Sequence, residues 1–246
     1  MPKYYLDTLK NGLTIFIIST RKLSTLDITL YVSVGSTYED ENNNGISHLL
    51  EHLIFLNTKN LELHPVGLDV DAFTQKDFTN FEITTHKKFI KDGLATLFSV
   101  ISSPDFSEDS LKVVKNIVRE EMGDFYDNPY DVLNQKIDQF LYGENSLALN
   151  EAGDKNSIAN ITINDLKNWH RRFYTPNKMI LTLVGNVDIN RTIKQIDNIF
   201  TYTDLQSKNN LNRKTSRIIY PDRKQKPTIL KGINLQQTYL SFVFHV

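Results

Sequence analysis

The chain has 246 residues, a formal net charge of −1, no cysteine, 40% hydrophobic residues and 23% charged ones. That composition is ordinary for a soluble globular protein, and the near-neutral balance argues against nucleic acid or an anionic membrane as the main partner. The missing cysteines exclude disulfides and thiolate-built zinc sites, and no apolar run reaches the roughly 18 residues needed to insert across a bilayer. The start, Met1-Pro2-Lys3-Tyr4, lacks the charged and apolar regions of a signal peptide, so a cytoplasmic protein is expected.

Asn11-Gly12 between Tyr4–Leu9 and Leu13–Ile18 predicts a β-hairpin closed by a tight turn. Leu26, Ile28, Leu30, Val32 and Val34 alternate with Asp27, Thr29, Tyr31 and Ser33, the period of a strand with one buried face. A helix is predicted from Gly45 to about Asn57, then an irregular stretch at Leu61–Leu68 and a strand over Phe73–Thr85. Helical periodicity follows at about 87–102, 107–126 and 129–142. A loop rich in small and polar residues, Gly143 to Asn160, leads to a helix near 162–173 capped by Thr162 or Asn164. Lys178–Val184 reads as a strand and Ile189–Phe200 as an amphipathic helix. Residues 1–200 therefore make one sheet-and-helix domain, 201–235 a polar linker, and 236–246 a strand with nothing after it. A terminal strand without a partner is an aggregation liability, so it looks like the opening of a second domain.

One segment of the predicted helix 45–57 carries chemistry: His48-Leu49-Leu50-Glu51-His52. Residues three and four apart share a helix face, so two imidazoles and a carboxylate are displayed together. Two neutral imidazoles so placed can hold zinc, and the carboxylate between them can take the proton of an attacking water. H-x-x-E-H is the inverse of H-E-x-x-H and forms a separate catalytic class. On a helical wheel Ile46, Leu49, Leu50 and Leu53 face the core, with His48, Glu51, His52 and Phe55 opposite. The competing reading is a solvated polar face that happens to carry two histidines.

A catalytic zinc needs a third protein ligand. On the helix Leu111–Met122, Leu111, Val114, Ile117 or Val118, Met122 and Phe125 form an apolar stripe that contains Glu121, while Glu120 points off its edge. A carboxylate on a buried face needs a partner, and either a metal ion or a neighbouring Lys or Arg would serve. Glu120 reads as solvated, or as a group supporting the ligands from behind.

The segment Gly35-Ser36…Glu39…Gly45-Ile46-Ser47-His48-Leu49-Leu50-Glu51-His52-Leu53…Phe55 resembles the active-site segment of the pitrilysin/insulinase metallopeptidases. That family includes the mitochondrial processing peptidase. The resemblance continues through Asp71-Ala72-Phe73-Thr74…Asp77…Thr79…Phe81 and Val118-Arg119-Glu120-Glu121-Met122…Asp127-Asn128-Pro129. It ends with Gly153…Ser157-Ile158…Asp165-Leu166…Phe173-Tyr174…Pro176-Asn177-Lys178-Met179…Gly185-Asn186-Val187.

The resemblance implies an α+β half-domain in two layers, a mixed and largely antiparallel sheet packed by helices. It implies that His48, His52 and Glu121 hold Zn2+, that Glu51 is the general base, and that Asp71, Ala72, Phe73 and Thr74 line a cleft for a peptide substrate. Two positions depart from the family pattern: Asp71 stands where an Asn is usual, and Val114 where a second Glu is often found. Members pair two similar halves around the peptide, so a second half-domain, a partner subunit or a homo-oligomer is implied. The chain is then a fragment, one chain of a split enzyme, or a free-standing half; the lone final strand favours the first two. The expected function is a zinc-dependent endopeptidase. The alternative is a non-catalytic subunit that binds peptides or supports assembly.

Overall fold

The computed structural model describes residues 2–20, 23–58 and 69–201, with Thr238 and Ser241. The predicted hairpin forms from β1 (Lys3–Thr8) and β2 (Thr14–Ser19), paired antiparallel. Its turn is wider than expected: Leu9 N–H donates to the Leu13 carbonyl at 2.8 Å and Gly12 N–H to the Leu9 carbonyl at 2.9 Å. Gly12 takes φ +93°, where a Cβ would lie 2.8 Å from Asn177, so a side chain is excluded twice over. The alternating segment is β3 (Thr25–Val32), and the motif lies on α1 (Ile46–Thr58).

The strand expected at 73–85 is two strands, β4 (Asp69–Thr74) and β5 (Thr79–His86), paired antiparallel. No Gly or Pro marks the reversal. The connection is closed by Gln75 N–H donating to the Phe78 carbonyl at 2.8 Å, and its own carbonyls accept from Ser36 and Thr37. Four expected helices follow as α2 (Ile90–Ser102), α3 (Glu108–Asp127), α4 (Pro129–Tyr142) and, after a loop, α6 (Ile163–Phe173). Asn128 ends α3 and caps α4, and Pro129 sits in the first turn of α4, where its missing N–H costs nothing. The segment read as a loop holds a short helix, α5 (Lys155–Asn160), capped by Asp154. Thr162, not Asn164, caps α6, in a reciprocal pair with Asp165. The last elements are β6 (Met179–Gly185) and α7 (Ile189–Thr201). The predicted irregular stretch 61–68, the linker beyond Thr201 and the strand 236–246 lie outside the described residues, Thr238 and Ser241 aside.

The sheet order is β1-β2-β6-β3-β5-β4. Only the β2–β6 pair is parallel, so the fold is the expected α+β arrangement with a mixed, largely antiparallel sheet. One face carries the core: Ile15 and Ile17, Leu26, Ile28 and Leu30, Phe81 and Ile83, Leu181 and Leu183 are buried. Helix α2 lies close on this face at Gly93, where a Cβ would sit 3.0 Å from Ile28 Cδ1. Helix α1 packs against β4 and β5 on one side and α3 on the other. Among the described residues no helix covers the opposite face, although Thr29 and Asn80 on it are buried. Tyr4 is 79% exposed and Leu6 65%, and Ile180, on β6 beyond β2, is exposed on the same face. No described helix is long and apolar enough to cross a membrane.

Candidate metal centre

Helix α1 starts where it does because Glu39, from the preceding loop, is buried against its first turn. The Glu39 carboxylate accepts from Gly45 N–H (2.7 Å), Ser47 N–H (2.9 Å) and Asn44 Nδ2 (3.0 Å). These donors would otherwise be orphaned at a helix start, and a negative charge there suits the helix dipole. Burial pushes the Glu39 carboxyl up, and these hydrogen bonds offset only part of that rise. The loop before α5 seats against the same end. Asn44 Nδ2 donates to the Asn150 carbonyl at 2.8 Å, and Ser157 Oγ donates to the Asn44 carbonyl at 2.6 Å. Gly45, at φ +91°, lets Gly153 approach until a Cβ would be only 2.8 Å from its Cα.

Along α1, Ile46, Leu49, Leu50 and Leu53 are buried as the wheel predicts. The other side is not a solvated face. Glu51 is 5% exposed and both histidines are largely covered, because β4 and α3 close over them. From α3, Glu121 reaches the pair. Its Oε2 lies 3.1 Å from His52 Nε2 and 3.5 Å from His48 Nε2, and the two Nε2 atoms are 3.0 Å apart. Contrary to the stripe reading, Glu121 is 45% exposed: the buried positions of α3 are Leu111, Val114, Val118 and Met122. Glu120 is exposed and makes no hydrogen bond or ion pair with a described residue.

The donor set fits zinc. Tetrahedral zinc with bonds of about 2.0–2.1 Å separates its ligand atoms by roughly 3.3 Å. The three distances bracket that value. Burial and the neighbouring His52 hold His48 down to about 4 against the pull of Glu121, so its ring is neutral and free to donate a lone pair. The hydrogen bond from His52, helped by both imidazoles, holds the Glu121 carboxyl low. His48 Nδ1 is buried without a partner in hydrogen-bonding geometry, but the Ala152 carbonyl is near enough to favour a proton there. A proton on Nδ1 presents Nε2 as the ligand atom.

Beside the three donors, Glu51 Oε2 accepts a 2.7 Å hydrogen bond from Thr74 Oγ1 at the end of β4. Burial pushes the Glu51 carboxyl up to about 7, opposed by the Thr74 hydroxyl and by His52. Of the four residues expected to line a cleft, Asp71 and Phe73 are exposed on the edge strand, Ala72 is half-buried, and Thr74 turns inward to Glu51. Asp71 Oδ1 accepts from the Ala72 N–H at 2.9 Å. Phe73 contacts Phe78, which in turn contacts Tyr31, on the face of the sheet that carries no described helix. Sequence reasoning gave no structural role to Glu39, although it lies within the resembling segment. It also missed the Ala152 carbonyl, since a backbone acceptor leaves no mark in a sequence.

The family model described as insulinase (peptidase family M16) matches residues 14–155. The chain belongs to the insulinase family of peptidases. A second model, described as the M16 inactive domain, matches residues 160–246 of the same M16 chain. The gap between the two matches is no boundary of the fold, because β6 lies inside the sheet between β2 and β3. The chain is 28% identical over 203 residues to the uncharacterized zinc protease YmxG of Bacillus subtilis, covering 78% of this chain and 49% of that protein. It is 24% identical over 207 residues to the mitochondrial-processing peptidase subunit beta of Caenorhabditis elegans, covering 81% and 45%. A protease from Helicobacter pylori shares the fold with a TM-score of 0.80 at 26% identity, over 90% of this chain and 55% of that one. This M16 chain thus spans about half the length of the curated relatives it matches.

Proposed function

We propose that this chain is the catalytic half of a zinc metalloendopeptidase. The observation that carries the reading is the convergence of His48, His52 and Glu121 on one point, with Glu51 buried beside them. His48 and His52 from α1 and Glu121 from α3 would hold the ion and leave a fourth position open. Zinc bound there would supply Lewis acidity for a water and a peptide carbonyl. Glu51 takes the proton of the attacking water and passes it to the leaving amine. The peptide adds as an extended strand along β4, the outermost described strand of the sheet on the side next to α1.

A second half completes the enzyme, carried on the same chain or on a partner subunit, or supplied by a second copy. Residues 1–200 form the catalytic unit in this reading, 201–235 a linker, and 236–246 the opening of that second unit. The alternative, a subunit that binds peptides without cutting them, draws on one observation. Val114 is fully buried where relatives of this kind often place a carboxylate, so nothing charged supports the ligands from that position.

Metal content separates the two. The purified chain should hold about one zinc, His48→Ala should lose it, and Glu51→Gln should keep it while abolishing hydrolysis. A Gln variant that cleaves peptides at the wild-type rate refutes the assignment of Glu51, and a wild type that takes up no zinc refutes the peptidase.

A further inference from the structure

Thr74 belongs to the edge strand along which a peptide would lie, but its side chain is committed elsewhere. It is 9% exposed, whereas Asp71 and Phe73 on the same strand are open to solvent. Its Oγ1 lies 2.7 Å from Glu51 Oε2 and 3.4 Å from Thr79 Oγ1. Thr79 is the register partner of Thr74 across the β4–β5 pair, and its own hydroxyl donates to the Val34 carbonyl at 2.9 Å.

A hydroxyl carries one proton. The Thr79 proton is taken by Val34, and the single Thr74 proton has its short contact at Glu51. Threonine is stiff at χ1 because it is branched at Cβ. The ladder pairing of Thr74 with Thr79 therefore fixes where the Oγ1 of Thr74 points.

We propose that Thr74 is the positioning residue of Glu51: its hydroxyl pins Oε2 and leaves Oε1 as the oxygen that handles the proton. Thr79, behind it, holds the rotamer. Thr74 is then not a substrate contact.

The kinetic part of the test rests on the peptidase reading. Thr74→Val keeps the shape and removes the hydroxyl, and Thr74→Ser keeps the hydroxyl. In the zinc-loaded enzyme with its complementary half present, Thr74→Val should lower kcat about tenfold with KM unchanged, and Thr74→Ser should restore most of the rate. A raised KM with unchanged kcat would mark Thr74 as a substrate contact and overturn the proposal, as would an unaltered kcat.

A second arm needs no activity. In the metal-free chain, Thr74→Val should lower the Tm in the wild-type background but not in Glu51→Ala. Glu51→Met serves as the background if the alanine variant does not fold. Equal drops in both backgrounds overturn the proposal whatever the kinetics show. A wild type that cleaves nothing would sink the peptidase reading, while this cycle still decides whether Thr74 and Glu51 are coupled.

Discussion

Glu51 is a carboxyl group in surroundings that disfavour its charge. In the metal-free protein burial pushes it up to about 7 from an ordinary value of 4.5. The folded state therefore holds this proton more tightly than the unfolded chain, so its contribution to stability falls as pH rises from 4.5 to about 7. His48 runs the other way. Its ring is held at about 4 against an ordinary 6.5, so the unfolded chain binds that proton better and stability rises with pH across that interval. The windows overlap, so Glu51 is best read by difference from Glu51→Gln. In the presence of a chelator the variant should melt with the wild type at about pH 4 and above it at about pH 8, by up to about 3 kcal/mol. Thermal unfolding at the two pH values checks this. No gain at the higher pH would mean that the buried carboxylate costs nothing.

At the scale of elements, the geometry of the proposed metal site depends on where α1 begins. Glu39→Ala would leave the N–H groups of Gly45 and Ser47 without an acceptor in a buried place, at a cost of about 2 kcal/mol or more. The same change should weaken zinc binding, because His48 lies in the first turn of the helix that Glu39 anchors. Chemical denaturation and competition with a chelator measure the two effects; an unchanged zinc affinity would uncouple the cap from the site. Helix α1 was legible in sequence because its apolar positions repeat at helical spacing. The break between β4 and β5 was not. Gln75, Lys76, Asp77 and Phe78 include neither Gly nor Pro, and the reversal is held by partners distant in sequence. Besides the backbone bonds to Ser36 and Thr37, Lys76 Nζ reaches Asp138 at 3.0 Å, Glu151 at 3.2 Å and the Leu149 carbonyl at 2.8 Å.

At the scale of the whole molecule, one face of the sheet is covered by helices and the other carries no described helix. Tyr4, Leu6 and Ile180 lie on its apolar part, and Asp69, Asp71 and Glu82 on its acidic part near the edge strand. Glu82 is pushed up to about 7, first by its hydrogen bond with the Asp27 carboxylate. The site is covered only in part, with the histidines largely buried and Glu121 45% exposed. A chamber closed over the metal would exclude water and orient the peptide, effects worth several kcal/mol of barrier. The isolated chain should therefore cleave a short fluorogenic peptide slowly. Adding a complementary half should raise the rate by about a hundredfold or more. A mixture no faster than the chain alone would argue for a self-sufficient half.

The sequence by itself determined which residues are the candidates and where they stand: His48, Glu51 and His52 on one helix, with Glu121 on another. Helical spacing alone places the first three together. It also determined most elements, since hydrophobic period and a capping residue such as Thr162 act locally. Only the tertiary structure decided how those groups are housed. Burial of Glu51, its hydrogen bond to Thr74, the Ala152 carbonyl behind His48 and the exposure of Glu121 each depend on segments remote in sequence. Burial and long-range hydrogen bonds are properties of packing, and no local pattern of residue types encodes them.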